Sequence, residues 1–335
     1  MASENVQKIS KIIKKHRDRL VVRNRVKQLG IGYKVTGGKI TETVGIVAFV
    51  TKKLTDEALR NMQVEPVAKE IDGVSTDIIE IPGGFKPRAP DDARYRPFPG
   101  GVAMINYRTP ATGTLGLVLK IRGMNSKRLY ALTNNHVGAN EDVKGLVPPA
   151  AKKGDYWIQP GAHGGGTVPA DVIAKLYQWN RIKPSAPGAV NYYDAAVGEI
   201  IKSELANAKP YEIMDIGSVK GIEDINLGDT VMKRGRTTLK TIGRVVAVMQ
   251  SVTVEYRGYP CDFDDQVLIV GEPVANPFSQ PGDSGSVVVS ADKDPKTDAY
   301  NAKALLFAGG TSTDNIDFTV ASPIRRIARD FGLLI

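Results

Sequence analysis

Apolar residues recur at helix-like spacing through residues 4–26, with Val6, Ile9, Ile12, Ile13, Leu20 and Val26 on one face and basic residues opposite. The pattern predicts a basic amphipathic helix. From Gly30 the period shortens to two: Ile31, Tyr33 and Val35 lead into a Gly37-Gly38 turn, and a second run occupies residues 41–51. A β-hairpin is expected there. Thr55 is placed to cap a short helix whose first turn carries Asp56 and Glu57, and residues 75–81 read as another strand.

Pro82, Pro87, Pro90, Pro97 and Pro99 then deny backbone donors to any regular ladder. A boundary is expected at this stretch. Residues 1–82 form the basic helix plus a small α+β unit, 83–100 a Pro-rich linker, and 101–335 the main domain. In that domain short apolar runs, divided by Gly, Pro and Asn, occupy residues 114–121, 129–133, 195–200, 230–233, 241–250, 251–256, 266–270, 286–290 and 303–308. Such spacing favours an antiparallel barrel or sandwich over βαβ units. Ile324, Ile327 and Phe331 predict a short closing helix. No internal repeat or long low-complexity tract is visible.

Composition narrows the class. The chain has 335 residues, 42% hydrophobic and 24% charged, which suits a globular protein with a sizeable core and argues against a disordered, fibrous or membrane-spanning one. The longest apolar run, residues 44–50 with Gly45 inside, is too short to cross a bilayer. The basic leading stretch lacks the apolar core of a signal peptide. Cys261 is the single cysteine, so neither an intrachain disulfide nor a thiolate metal cage can form. A cytoplasmic location is expected. Lys and Arg exceed Asp and Glu by nine, and seven of those nine excess charges fall in residues 1–30. The basic helix is therefore a candidate for docking to an acidic surface, with nucleic acid the lesser expectation.

Three strings carry candidate chemistry. In Gln280-Pro281-Gly282-Asp283-Ser284-Gly285-Ser286, glycines flank Asp-Ser and permit a tight turn that exposes a hydroxyl while N–H groups converge on one spot. Alone, it is equally a polar hairpin turn. In Leu132-Thr133-Asn134-Asn135-His136-Val137 a histidine follows an apolar strand, and the only other histidines are His16 and His163. In Tyr193-Asp194-Ala195-Ala196-Val197-Gly198 an acid opens an apolar strand, where a partly buried carboxylate needs a donor such as an imidazole N–H. Together they run His136, Asp194, Ser284, the order of chymotrypsin-type barrels and not of subtilisin-like or α/β-hydrolase enzymes.

With those residues, the chain from about residue 100 onward resembles the trypsin-like serine peptidases of bacterial type. Thr133 to Val137 matches the histidine motif of the high-temperature-requirement branch, Asp194 to Val197 the aspartate motif, and Gly282 to Ser286 the serine motif. A narrower likeness, to a group of bacterial trypsin-like proteins and to the trypsin-like region of the plant narrow-leaf protein, rests on four further pieces. These are Ile158-Gln159-Pro160-Gly161 with Gly164-Gly165, Lys233-Arg234-Gly235-Arg236-Thr237-Thr238 with Gly243, Leu305-Leu306-Phe307-Ala308-Gly309-Gly310, and Gly32-Tyr33-Lys34-Val35-Thr36-Gly37-Gly38-Lys39.

The resemblance implies a mainly β fold of two six-stranded antiparallel β-barrels of chymotrypsin type, about 101–205 and 206–335, with a small N-terminal α+β unit and a short C-terminal helix. It implies a serine endopeptidase acting on protein or peptide through an acyl-enzyme, with His136 as base, Asp194 orienting it and Ser284 as nucleophile. Gly282 and Ser284 N–H groups would form the oxyanion hole. The strand through Ala308, Gly309 and Gly310 would pair with substrate, and Phe278, six residues before the nucleophile, would lie near the base of the specificity pocket. With no acid there, a small or apolar P1 residue is expected. No cofactor is expected, and no metal, because the histidines are scattered.

The chain also departs from the pattern. No activation sequence of the trypsin kind, one that would free an amino terminus for pairing with Asp283, is seen, and no PDZ-like region is expected. The Gly- and Pro-rich stretch between His136 and Asp194 either covers the cleft or packs a homo-oligomer interface. Lys233-Arg234-Gly235-Arg236 is expected to be a solvated turn, and Gly164-Gly165-Gly166-Thr167 a loop without a P-loop lysine. The alternative to an enzyme is an idle or autoinhibited trypsin-fold scaffold, with residues 1–99 serving inhibition or assembly.

Overall fold

A computed structural model describes residues 2–24, 26, 28–37, 39–81, 91–109 and 112–335; Gly38 of the expected turn and residues 83–90 of the expected linker lie outside them. The leading helix α1 (Ala2–Asp18) runs into a π-helical turn, Arg19–Arg23. Its apolar residues Ile9, Ile12, Ile13 and Leu20 are buried in one cluster with Leu29, Ile31, Val248, Val267 and Ile269. The helix therefore docks on its own protein. Part of its basic face is also met internally: Lys15 and His16 reach Asp72 at 2.7 and 2.9 Å, Arg17 reaches Asp264 at 3.2 Å, and Arg19 reaches Glu65 at 3.5 Å.

The expected hairpin is β1 (Gln28–Thr36) and β2 (Lys39–Val50). Thr55 caps α2 (Asp56–Asn61) by accepting from the Ala58 N–H at 3.3 Å. After β3 (Glu70–Ile71), β4 (Val74–Glu80) lies parallel to β2.

The middle of the chain supplies β5 (Phe98–Gly100), β6 (Ala103–Asn106), β7 (Gly113–Thr114), β8 (Leu117–Ile121) and β9 (Tyr130–Thr133). A short helix α3 (Asn135–Gly138) precedes β10 (Tyr156–Ile158), β11 (Val172–Trp179) and β12 (Ala196–Ile200). The remainder gives β13 (Ala208–Ile213), β14 (Gly217–Ile222), β15 (Thr230–Gly235), β16 (Leu239–Tyr256) and β17 (Tyr259–Gly271). It ends with β18 (Val287–Ser290), β19 (Tyr300–Thr311), β20 (Asp317–Pro323), α4 (Ile324–Phe331) and β21 (Leu333–Leu334).

These strands make the expected mainly β architecture, here a closed ring beside a half-barrel. In the second unit β15, β16, β17, β20, β19 and β18 pair in sequence, and β18 returns to β15, so six antiparallel strands close a ring. In the first, the order β21-β8-β9-β12-β11-β10-β6-β7 curls into a half-barrel. β1 pairs with β16 through Ile31 opposite Val248 and Gly32 opposite Ala247, carrying the ring's sheet into the N-terminal unit. α4 buries Ile324, Ile327 and Phe331 as its spacing predicts.

Two expectations are corrected here. Part of the stretch between His136 and Asp194 does neither of the expected things: it builds β10 and β11, and Trp157, Ile173 and Leu176 from it are core. Residues 114–121 are not one strand but two, because Gly116 interrupts them where a Cβ would lie 2.3 Å from the Gly285 carbonyl oxygen. Among the described residues no helix is long and apolar enough to cross a membrane.

Candidate active site

Apolar strand β9 delivers Asn134, Asn135 and His136 to the start of α3, and each asparagine has a structural task. Asn134 donates to the Asp194 carbonyl at 2.7 Å. Asn135 donates to the carbonyls of Asp142 and Asn180 at 3.1 and 2.5 Å and accepts from the Asp142 N–H at 2.8 Å. The loop after the histidine is thereby tied to the strand before Asp194. The Asp194 carboxylate, fully buried, accepts from the Asn135 N–H at 2.5 Å with one oxygen, while its Oδ2 lies 2.5 Å from His136 Nδ1. Burial disfavours a charged imidazole, but the field and hydrogen bond of Asp194, helped by Glu141, outweigh it and raise the pKa of His136 above its ordinary value.

The nucleophile candidate sits on a turn of the ring. Gly282 and Gly285 take φ of 98° and 96°, a region a side chain rarely adopts. Ser286 returns its N–H and hydroxyl to the Asp283 carbonyl at 3.0 and 2.6 Å, and Gly285 N–H donates to Leu306 at 2.9 Å. Among the described residues the N–H groups of Gly282 and Ser284 have no acceptor. This turn meets the half-barrel closely: the Thr114 N–H donates to the Ser284 carbonyl at 2.8 Å, and a Cβ on Gly113 would strike both Val137 and that carbonyl.

The Asp283 side chain is the anchor. It accepts from the N–H groups of Thr237, Thr238 and Gln280 at 2.7, 3.2 and 2.8 Å, from the Thr238 hydroxyl at 2.7 Å, and from Lys233 at 3.3 Å. Lys233 is 0% exposed, and burial pulls its pKa down to about 8 despite the partner. The solvated turn expected at Lys233-Arg234-Gly235-Arg236 is therefore wrong. Arg234 meets Asp91 at 2.7 Å and Arg236 clasps Asp92 with two bonds of 2.9 Å. All three cations are buried because carboxylates distant in sequence meet them, a fact no local charge pattern discloses.

His136 and Asp194 are thus paired, and Ser284 lies on the adjoining turn. Ser284 is not bonded to the histidine: among the described residues His136 Nε2 has no hydrogen-bond partner. The serine hydroxyl is 3.4 Å from the Phe307 carbonyl, too long to hold it firmly. Ser284 is 2% exposed and His136 9%. Ala308, Gly309 and Gly310 pair with Val320, Thr319 and Phe318 on one side, while β18 pairs with β19 only as far as Leu305. Phe278 is fully buried in the ring's core, its ring 5.8 Å from the Lys233 ammonium, with no face turned outward. His16 binds Asp72 at the surface and His163 faces Thr112. Among the described residues no cluster of His, Cys, Asp or Glu is arranged to hold a metal ion.

Sequence reasoning missed Tyr256, whose hydroxyl donates to Asp194 Oδ2 at 2.6 Å. Its position at the end of an alternating strand beside Arg257-Gly258 signals a turn and nothing more.

No protein-family model matches the chain. Protein NARROW LEAF 1 of Oryza sativa subsp. japonica is 26% identical over 296 residues, which are 79% of this chain and 48% of that protein. The chain thus spans about half the length of that relative. Among solved structures, Thermobifida fusca Protease A aligns with a TM-score of 0.43 and 14% identity over 70% of this chain and 96% of its own. Nocardiopsis protease (NAPase) aligns at 0.45 and 16% over 71% and 98%, and the alpha-lytic protease homolog N4 at 0.45 and 20% over 70% and 97%.

Proposed function

We propose that this chain is a serine endopeptidase. The observation that carries the reading is the buried His136–Asp194 pair at 2.5 Å beside a turn, held by a buried ion pair, whose serine and two N–H groups have no firm partner among the described residues. A fixed carboxylate keeps the imidazole proton on Nδ1, leaving Nε2 free to take the proton of Ser284 as its oxygen attacks a peptide carbonyl. The N–H groups of Gly282 and Ser284 then stabilise the oxyanion, each worth about 3 kcal/mol in comparable enzymes. The imidazolium returns its proton to the leaving amine, and a water repeats the cycle to release the acyl group.

The substrate is a protein or peptide, laid as an extra strand along the edge of β19 beyond Leu306, where glycines at 309 and 310 leave side-chain room. A cytoplasmic setting fits the buried, unpaired Cys261. Labelling with a fluorophosphonate probe tests the nucleophile: wild type should be modified and Ser284→Ala should not. Equal labelling of both removes Ser284 from the role. A second reading, a latent peptidase, is favoured by the 2% exposure of Ser284. It requires that labelling be slow and be accelerated by a peptide that opens the site.

A further inference from the structure

We propose that Tyr256 is a positioning residue of the His136–Asp194 pair, supplied to the half-barrel by the ring's longest hairpin. The inference rests on the peptidase reading above. The geometry is direct: the Tyr256 hydroxyl is 2.6 Å and His136 Nδ1 is 2.5 Å from the same oxygen, Asp194 Oδ2. The phenol is buried, and that burial together with the Asp194 charge holds its pKa well above the ordinary tyrosine value, so it acts as a donor at any working pH. The second Asp194 oxygen is occupied by the Asn135 N–H. With both oxygens engaged, the carboxylate has one rotation available, and that rotation aims Oδ2 at the histidine.

Tyr256 ends β16 and pairs with Tyr259 across the hairpin turn, so its hydroxyl is placed by backbone. The ring is flanked by Phe263 at 5.8 Å and by His136 at 6.1 Å between centroids. At the same tip, Arg257 donates to the carbonyls of Asn140 and Glu141 at 2.7 and 3.2 Å, fastening the loop that follows the histidine. A donor on Asp194 has a second consequence. It draws negative charge away from the face that the imidazole sees, tempering the rise in His136 pKa. The charged and titratable groups around the pair are Glu141, which acts on His136, and the buried Cys261, whose thiol burial pushes up to about 12 and which stays neutral.

The test uses the full-length chain with Tyr256→Phe and Tyr256→Leu. Loss of the hydroxyl should lower kcat about tenfold with little change in KM, the effect of removing one hydrogen bond to a charged group. It should also move the acid limb of kcat/KM to higher pH in both variants. In a Ser284→Ala background, NMR titration of the His136 ring should show the same upward shift without any turnover. Unchanged kcat and His136 titration in Tyr256→Phe overturn the proposal, even if Tyr256→Leu is impaired, because only the packed ring then matters. A shifted titration in a chain that hydrolyses no peptide upholds the tyrosine's hold on the pair and removes the peptidase reading instead.

Discussion

The ring and the half-barrel hold their share of the site by different means. In the ring, six strands close on themselves, and the turn that carries the candidate nucleophile Ser284 is bonded to that closed frame through Leu306 and through the buried Lys233–Asp283 pair. The half-barrel's pairing path ends at β7 and β21, and His136 and Asp194 stand beyond strand ends. Their geometry comes from side-chain bonds instead: Asn134, Asn135, Asn180 and, across the interface, Tyr256. One half of the site is fixed by a closed ring and by one buried carboxylate, Asp283, on which five donors converge, the other by polar stitching spread over several side chains. The first should fail abruptly when its anchor is removed, the second by degrees.

Lys233→Met is the sharpest way to break this contrast. It leaves Asp283 buried without its cation, and removal of one partner of such a pair costs about 3–5 kcal/mol. Four neutral donors still hold the carboxylate, so the chain should fold with a clearly lowered Tm while peptidase activity and fluorophosphonate labelling both fall at least about a hundredfold. Near-normal labelling would show that the turn is fixed without the lysine.

The same contrast explains what the sequence could and could not disclose. His136, Asp194 and Ser284 emerge as candidates only from the chain order of three strings, each ambiguous alone, and of that expectation the structure shows the pairing of His136 with Asp194. The hairpin and closing helix follow from periodicity, and the Thr55 cap from the acids of the first turn behind it. Lys233, Arg234 and Arg236 were misread because charge density along the chain signals solvent, whereas their burial depends on Asp283, Asp91 and Asp92. Tyr256 was invisible for the same reason, its partner lying 62 residues away. The sequence divides β16 into two runs at Ser251, close to where Met249 takes a φ of 53° and the register with β17 shifts. Short strands such as β10 and β13 carry no alternation long enough to detect.

A pH profile sharpens the comparison next. His136, with its pKa raised above 6.5 by Asp194, must lose its proton to act as base, so kcat/KM should climb through a value above 6.5. Lys233, titrating at about 8, must keep its proton to hold Asp283 as a cation, so activity should decline above that pH. Stability should move the other way. A lysine whose folded pKa lies below its ordinary 10.5 binds fewer protons folded than unfolded between about 8 and 10.5, so its contribution to stability rises with pH across that window. Activity that falls about tenfold near pH 9 while Tm holds would separate loosening of the turn from unfolding. Parallel loss of both would assign the decline to the fold.

The smallest effect tests whether the N-terminal unit braces the hairpin that carries Tyr256. Arg17 on α1 donates to the Ser251 hydroxyl at 3.2 Å and to Asp264 at 3.2 Å, one contact on each strand of that hairpin. Deleting the whole unit is a poor test, because it bares the edge of β16 and the apolar cluster around Val248 and Val267. Arg17→Ala is gentler: the pair is partly exposed, so the loss should be under about 1 kcal/mol. If the unit is a brace, hydrogen exchange at residues 251–264 should quicken and kcat should drop about twofold, with labelling of Ser284 slightly slower. If the unit instead obstructs the cleft, loosening it should speed labelling. The sign of that small change therefore decides between a strut and a plug.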